Sequence, residues 1–484
     1  MSELVFKPAL ELGRLLKKKK LSAMELLGEC LTQYARHNDA INAVILTDLS
    51  RGRAAARAAD KRLAAGEALS PFDGVPMTAK ESFDMKGLPS TWGDPRFRDN
   101  IADADAVAVT RLTEAGAVIY GKTNVPLMLA DWQSYNVIYG TTNNPWDVTR
   151  VPGGSSGGAA TALAAGLTGL EIGSDIGASI RNPAHYCGVY GHKPTYEICS
   201  GKGHRLPPFI TGSDISVIGP LARSAADLEL ALGLIAGADE PHARAWQLKL
   251  PAPDRVRLSD YRIAVKTGDR EFPVDEATHR TALAVAETLR GAGATVTIDP
   301  LLPIPSRDYY ELHLALARGS TAARRQAAEI AALQAEAAAI DRDDHGYHAL
   351  MLRGLTQSHR EWLERHIERQ RLRLGWERFF KDYDVLIAPV SATSAFPHMQ
   401  SVPKQEQRVI VDGTPRPVSD TYFWIGLASV AYLPATTIPA GSKDTGLPIG
   451  LQIIGPEYAD RRCIALAQVL ETMHRPFVPP QGYR

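Results

Sequence analysis

The stretch from Val151 to Thr195, VPGGSSGGAATALAAGLTGLEIGSDIGASIRNPAHYCGVYGHKPT, constrains this chain more than any other. It joins a Gly-Gly-Ser-Ser-Gly-Gly loop, an Ala-rich segment, a short apolar run and a second Gly/Ser turn. Glycine clusters of this kind mark places where a backbone takes a positive φ or passes close to another group. Two such turns, each presenting serines, predict a site built from backbone amides and hydroxyls. The rest of the chain is then scaffold and substrate wall.

Composition narrows the classes around that site. A chain of 484 residues, 45% hydrophobic and 22% charged, can bury a large core. Lys plus Arg and Asp plus Glu both number 54, which gives no basis for binding nucleic acid or an anionic membrane. The run Lys17-Lys18-Lys19-Lys20 lies just before Ser22-Ala23-Met24-Glu25, a capping box, and reads as a solvated helix end. Four cysteines, Cys30, Cys187, Cys199 and Cys463, make no disulfide framework. With no signal-peptide pattern at the N-terminus, they predict a cytoplasmic protein. The longest uncharged run, Thr421 to Ser442, is interrupted by Gly426, Pro434 and Pro439 and reads as buried strands, not a membrane span.

Periodicity along the chain predicts an α/β architecture with a mixed or parallel sheet. Residues 7 to 66 read as helices, and Gly74 to Lys80 as a short buried strand that ends on a lysine. Ala106 to Ala115 reads as a helix and Ala117 to Tyr120 as a strand closed by Gly121. Tyr135 to Val151 is a loop. Further helices are expected at 224–236, 275–292, across 308–382 and at 461–474, with strands at 262–265, 295–298, 384–389, 435–439 and 449–454. Ser391 to Ser419 reads as a mobile loop. No linker separates two domains, so residues 1–484 are expected to form one. Its parts would be N-terminal helices (7–66), a core (71–225), a variable substrate region (300–420) and C-terminal strands with a helix (421–484).

Three motifs invite other chemistries. Gly116 to Thr123, GAVIYGKT, matches a phosphate-binding loop letter for letter, but the residues between its glycines are apolar and β-favouring, and Asn124-Val125-Pro126 follows instead of a helix. Gly154-Ser155-Ser156-Gly157-Gly158 fits the G-x-S-x-G elbow of α/β-hydrolases, yet Trp146 to Pro152 is no buried strand. His185, Cys187, His192, Cys199 and His204 follow no zinc spacing and read as core or loop residues.

The fourth reading joins the two Gly/Ser turns to Lys80. GGSSGG, then SDIGASIRNPA, then CGVYGHKPT resembles the amidase signature family. The likeness continues in Gly74 to Lys80, Gly121 to Asn124, Thr142 to Asp147, Leu433 to Ala435 and Gly446 to Gln452. It spans most of the chain and is weakest from about 240 to 420. The resemblance implies a central twisted mixed β-sheet covered by helices on both faces. It also implies a Ser-Ser-Lys triad of nucleophile Ser179, bridging Ser155 after a cis peptide bond, and base Lys80.

Physical chemistry gives that triad a rationale. A serine hydroxyl needs a neighbouring base, and a lysine can serve only when neutral, a state that burial favours. A hydroxyl between them can pass a proton both ways. The amides of Ile176, Gly177, Ala178 and Ser179 are the implied oxyanion hole. Ala178 departs from the family, which usually has glycine there, and alanine restricts positive φ. Ser156 is expected to hydrogen-bond within its loop, and Asp175 and Arg181 to hold the turn. Trp132, Tyr135 and Tyr139, with Tyr310 and Phe396, are the expected aromatic substrate wall.

The function implied is hydrolysis of a linear amide, or of the related C–N bond of an anilide or carbamate, through a Ser179 acyl-enzyme. The alternative is the glutaminase subunit of a tRNA-dependent amidotransferase, which would need partner subunits. A catalytically silent binding protein on the same scaffold is the third reading. No cofactor or metal is implied, and the partner is a small-molecule amide or carbamate, with a homodimer as the possible assembly.

Overall fold

A computed structural model of the protein describes residues 3–255 and 257–483. Its main sheet has eight strands in the spatial order Thr295–Ile298, Arg262–Val265, Val385–Pro389, Pro448–Ile454, Ala435–Ser442, Tyr190–Lys193, Val217–Ala222 and Glu171–Asp175. The first three are parallel and every later pairing is antiparallel, so the sheet is mixed. Strand residues alternate between two helix layers, as the period-2 geometry of a pleated strand requires. Ile263, Val265 and Ile387 pack with Val285 and Leu289 of helix Glu276–Gly291 and Leu466 of helix Asp460–Met473. Ala264, Leu386 and Ala388 face the other way, onto Tyr309, Trp376 and Phe423. Helices therefore cover both faces, as expected.

A second sheet holds the lysine. Val44–Thr47, Val118–Thr123 and Pro76–Lys80 form three strands in that order. One parallel bridge, Met77 to Leu170, joins this sheet to the main one. Gly169 N–H donates to Pro76 O at 2.9 Å, and Thr78 N–H donates to Thr168 Oγ1 at 3.0 Å. Three residues beyond the bridge, the register brings Lys80 level with position 173, beside Ser174.

Most helices and strands fall where periodicity predicts them. Ser22 accepts from Glu25 N–H in the expected capping box, and Ser224 and Asp275 cap their helices. The expectations fail where an element is short or a helix is buried on all sides. Residues 7–66 are not all helical, because Val44–Thr47 is a strand too short to show a period. Thr421–Ser429, read as strand, is a helix whose nine residues are all buried, so no polar face betrays it. Residues 391–419 contain a hairpin, Arg408–Val411 with Thr414–Pro417, where a loop was expected. The strand expected to close at Gly121 continues to Thr123. Among the described residues no helix is long and apolar enough to cross a membrane.

Candidate active site

Lys80 ends its strand fully buried, and its ammonium nitrogen has two hydroxyl partners. Nζ lies 2.6 Å from Ser155 Oγ and 2.9 Å from Ser174 Oγ. Burial lowers its pKa to about 7, against the raising effect of Asp175, Glu171 and Glu81. Burial pushes the Glu171 carboxyl up to about 8, opposed by bonds from Thr78 and Ile172 N–H. Burial thus brings the uncharged form of Lys80 within reach near neutral pH.

Ser155 follows a cis peptide bond from Gly154 and leads into helix Gly157–Ala164. The surrounding glycines are steric necessities. A Cβ on Gly154 would lie 2.3 Å from Asp131 O, and one on Gly157 would lie 2.2 Å from Ser134 Oγ. Ser156 does not bond within its loop as expected. Its N–H donates to Ser179 O at 3.1 Å, and its hydroxyl reaches Ser174 O at 3.5 Å. The two Gly/Ser turns are thereby tied to each other.

The second turn is built on Asp175 and Arg181, both fully buried. The carboxylate accepts from Ala178 N–H at 2.9 Å, Ile180 N–H at 3.1 Å and the Arg181 guanidinium at 3.0 and 3.1 Å. Burial alone would raise its pKa, but the charge and hydrogen bonds of Arg181 outweigh it and hold the carboxyl low. Arg181 also donates to Ile425 O, Gln452 Oε1 and Ser429 Oγ, anchoring the turn to helix Thr421–Ser429 and to the main sheet. Ala178 adopts φ +69°, the left-handed region. Its amide is already engaged by Asp175, whereas those of Ile176, Gly177 and Ser179 meet no acceptor among the described residues.

Ser155, Ser174 and Ser179 open onto one cavity of about 320 Å³. Trp132 lines it, with Nε1 donating to Gly177 O at 2.8 Å and its ring 4.8 Å from that of Tyr422. Tyr135, Tyr139, Tyr310 and Phe396 do not line it. Tyr139 lies on the short hairpin beside Asn42, which donates to its carbonyl, and Phe396 borders a separate open groove. Sequence reasoning missed Ser174, Trp92, Tyr422 and Arg318 on the cavity wall. Ser174 had a signal: it sits one residue before Asp175, at the end of the strand that delivers the turn.

The rival motifs find other uses. Val118–Thr123 of the phosphate-loop match is a buried strand. His185 Nδ1 accepts from Gly450 N–H, His192 Nε2 meets Asp460 at 3.1 Å, and His204 Nε2 lies 2.9 Å from Ser82 Oγ. All four cysteines are buried and free.

The cavity gathers three serine hydroxyls beside a buried lysine and backbone amides that meet no acceptor among the described residues, all on an α/β scaffold. The chain belongs to the amidase signature family, whose Amidase model matches residues 25–464. Members of this family act on carbon–nitrogen bonds of non-peptide amides. A glutamyl-tRNA(Gln) amidotransferase subunit from Acidothermus cellulolyticus is 33% identical over 98% of this chain and 96% of its own. A chain from a vestigial protein complex bearing on the evolutionary origins of an s-triazine catabolic enzyme superposes with TM-score 0.80. It is 30% identical and covers 97% of this chain and 100% of its own. A 6-aminohexanoate cyclic dimer hydrolase complexed with substrate gives TM-score 0.77 at 25% identity, covering 98% and 99%.

Proposed function

We propose that Ser179 attacks the carbonyl of a linear amide, with neutral Lys80 as base and Ser155 as proton relay. The observation that carries this reading is the 2.6 Å contact between Lys80 Nζ and Ser155 Oγ at the cavity Ser179 shares. As Ser179 Oγ bonds to the carbonyl carbon, its proton passes to Ser155, whose own passes to Lys80. As the C–N bond breaks, the protons return and the amine or ammonia leaves protonated. Water then cleaves the ester by the same relay. The amides of Ile176, Gly177 and Ser179 serve the developing oxyanion, each about 3 kcal/mol of transition-state stabilisation. Ala178 N–H drops out of that set, because Asp175 holds it.

Ser174 keeps Lys80 in place, Ser156, Asp175 and Arg181 support the two turns, and Trp132 is the aromatic wall. The whole chain acts as one domain on a small amide, anilide or carbamate. Four free, buried cysteines suit a reducing cytoplasm. A fluorophosphonate probe should label Ser179, and Lys80→Ala and Ser179→Ala should each nearly abolish amide turnover. Full activity in purified Ser179→Ala protein ends the assignment.

The glutaminase reading, in which the chain serves a tRNA-dependent amidotransferase, has the stronger support from sequence likeness. Relatives of that description are 31–33% identical over at least 90% of this chain. It shares every chemical step above and differs in substrate and partners. Hydrolysis of L-glutamine that a co-purifying subunit stimulates would establish it. Turnover of simple amides by the chain alone, with glutamine inert, excludes it.

A further inference from the structure

We propose that the cavity beside Ser179 selects a net-anionic amide, one that carries a free carboxylate, through Arg318 assisted by Lys404. The proposal rests on the amide-hydrolase reading above and names the substrate class of that site.

Arg318 projects from helix Ser306–Ala322 onto the cavity wall. Its Nη2 donates to Tyr347 Oη and Tyr422 Oη, both at 2.7 Å. Two phenols thus fix the guanidinium plane, and against burial the charges of Arg318 and Lys404 pull the Tyr422 phenol below its ordinary pKa. Its Nε is buried with no hydrogen-bond partner, and its Nη1 meets no acceptor among the described residues. A role confined to tethering two tyrosines leaves these donors unexplained, because a buried donor without an acceptor costs stability.

The charges around it are unbalanced in the same sense. Lys404 lies over the Trp132 ring, 5.8 Å from its centroid, and donates to Ala130 O. Arg324 lies 4.9 Å from the Trp92 ring centroid and donates to Ser213 Oγ at 2.7 Å. Among the described residues, none of these three cations pairs with a carboxylate. The other charged groups of the wall are satisfied: Arg325 pairs with Glu329, and Arg96 with Asp94. Asp131, whose charge acts on Lys404, is the one carboxylate left among the described residues of the wall, so three cations face one acid. A half-buried cation without a counter-ion is costly unless a ligand supplies one. The cavity volume of about 320 Å³ suits a small amide with one such group. The surplus positive charge favours an anion over the zwitterion glutamine.

Two measurements separate this proposal from the reading it rests on. Calorimetry on Ser179→Ala protein reports anion binding without chemistry, using succinate against succinamide. Succinate should bind at least about ten-fold tighter, with the difference shrinking as salt is added. Turnover on wild type then compares succinamate, butyramide and L-glutamine, with succinamate expected to lead by kcat/KM. Arg318→Met should collapse the succinamate-to-butyramide ratio toward one, a loss of about ten- to a hundred-fold. Should that variant not fold, Lys404→Met is expected to lower the same ratio. Equal binding of succinate and succinamide, or faster turnover of butyramide or glutamine, overturns the proposal. Selective succinate binding without fluorophosphonate labelling of Ser179 overturns the hydrolase reading instead.

Discussion

Lys80 and Ser155, 75 positions apart in sequence, meet at 2.6 Å between Nζ and Oγ, and the other partner of the lysine is also a hydroxyl. No carboxylate pairs with it among the described residues. The lysine is therefore held by groups that tolerate its neutral form.

Only neutral Lys80 can accept a proton, and burial brings its pKa to about 7. The kcat/KM for a neutral amide should rise about ten-fold from pH 6 to a plateau near pH 8, with a midpoint near 7. A flat profile between pH 6 and 9 would rule out the lysine as base.

The same group sets a stability prediction of opposite benefit. The folded pKa of Lys80 lies below its ordinary value of 10.5, so between about pH 7 and 10.5 the unfolded chain binds more protons. Stability from this group rises with pH across that window, and its burial is most costly below it. Lys80→Met should raise the melting temperature over wild type at pH 6 and lose much of that advantage at pH 10. An advantage independent of pH contradicts the assignment.

Ser174→Ala tests the second hydroxyl. Ser174 Oγ accepts from the ammonium form of Lys80, so its loss disfavours that form. The midpoint of the pH profile should move down by about 0.5–1 unit, as expected for one hydrogen bond. An unmoved midpoint would show that Ser174 is mere filling.

Ala178, at φ +69°, separates conformational strain from chemistry. Left-handed backbone costs an alanine about 1 kcal/mol, which Gly relieves while losing a buried methyl. Ala178→Gly should keep its stability within about 1 kcal/mol and its turnover within a few-fold. Ala178→Val, β-branched in a left-handed position, should lose nearly all activity. Full turnover in the valine variant would remove this turn from the oxyanion site.

Asp175→Asn leaves Arg181 as a buried cation without its partner. Chemical denaturation should show a loss of about 3–5 kcal/mol, with activity falling alongside. Less than about 1 kcal/mol would mean that the pair does not hold the turn.

The fold was legible where a helix keeps a wet face and where a strand is a short apolar run, buried ones such as Val385–Pro389 included. Helix Glu276–Gly291 and strands Arg262–Val265 and Thr295–Ile298 lie where their periods predict them. Helix Thr421–Ser429 was not legible, because burial on all sides removes the polar face and its aromatic and β-branched residues favour a strand. That error hid Tyr422 on the cavity wall and, with it, the partner that orients Arg318. The residues gathered around Lys80 were legible through the family resemblance that the two glycine-rich turns and the strand-ending lysine carry, Ser174 excepted. Which aromatics line the cavity was not, since Trp132 and Tyr139 share one loop yet only Trp132 turns inward.

Among the described residues, the bridge from Met77 to Leu170 is the only strand pairing between the sheet that carries Lys80 and the sheet that carries Ser174. Lys80 and Ser174 therefore lie on opposite sides of a seam. Sliding one sheet by a single residue step, about 3.3 Å, would pull Lys80 away from both hydroxyls while leaving each sheet whole. Heat should silence this enzyme before it melts it, so activity is a thermometer for the seam rather than for the fold.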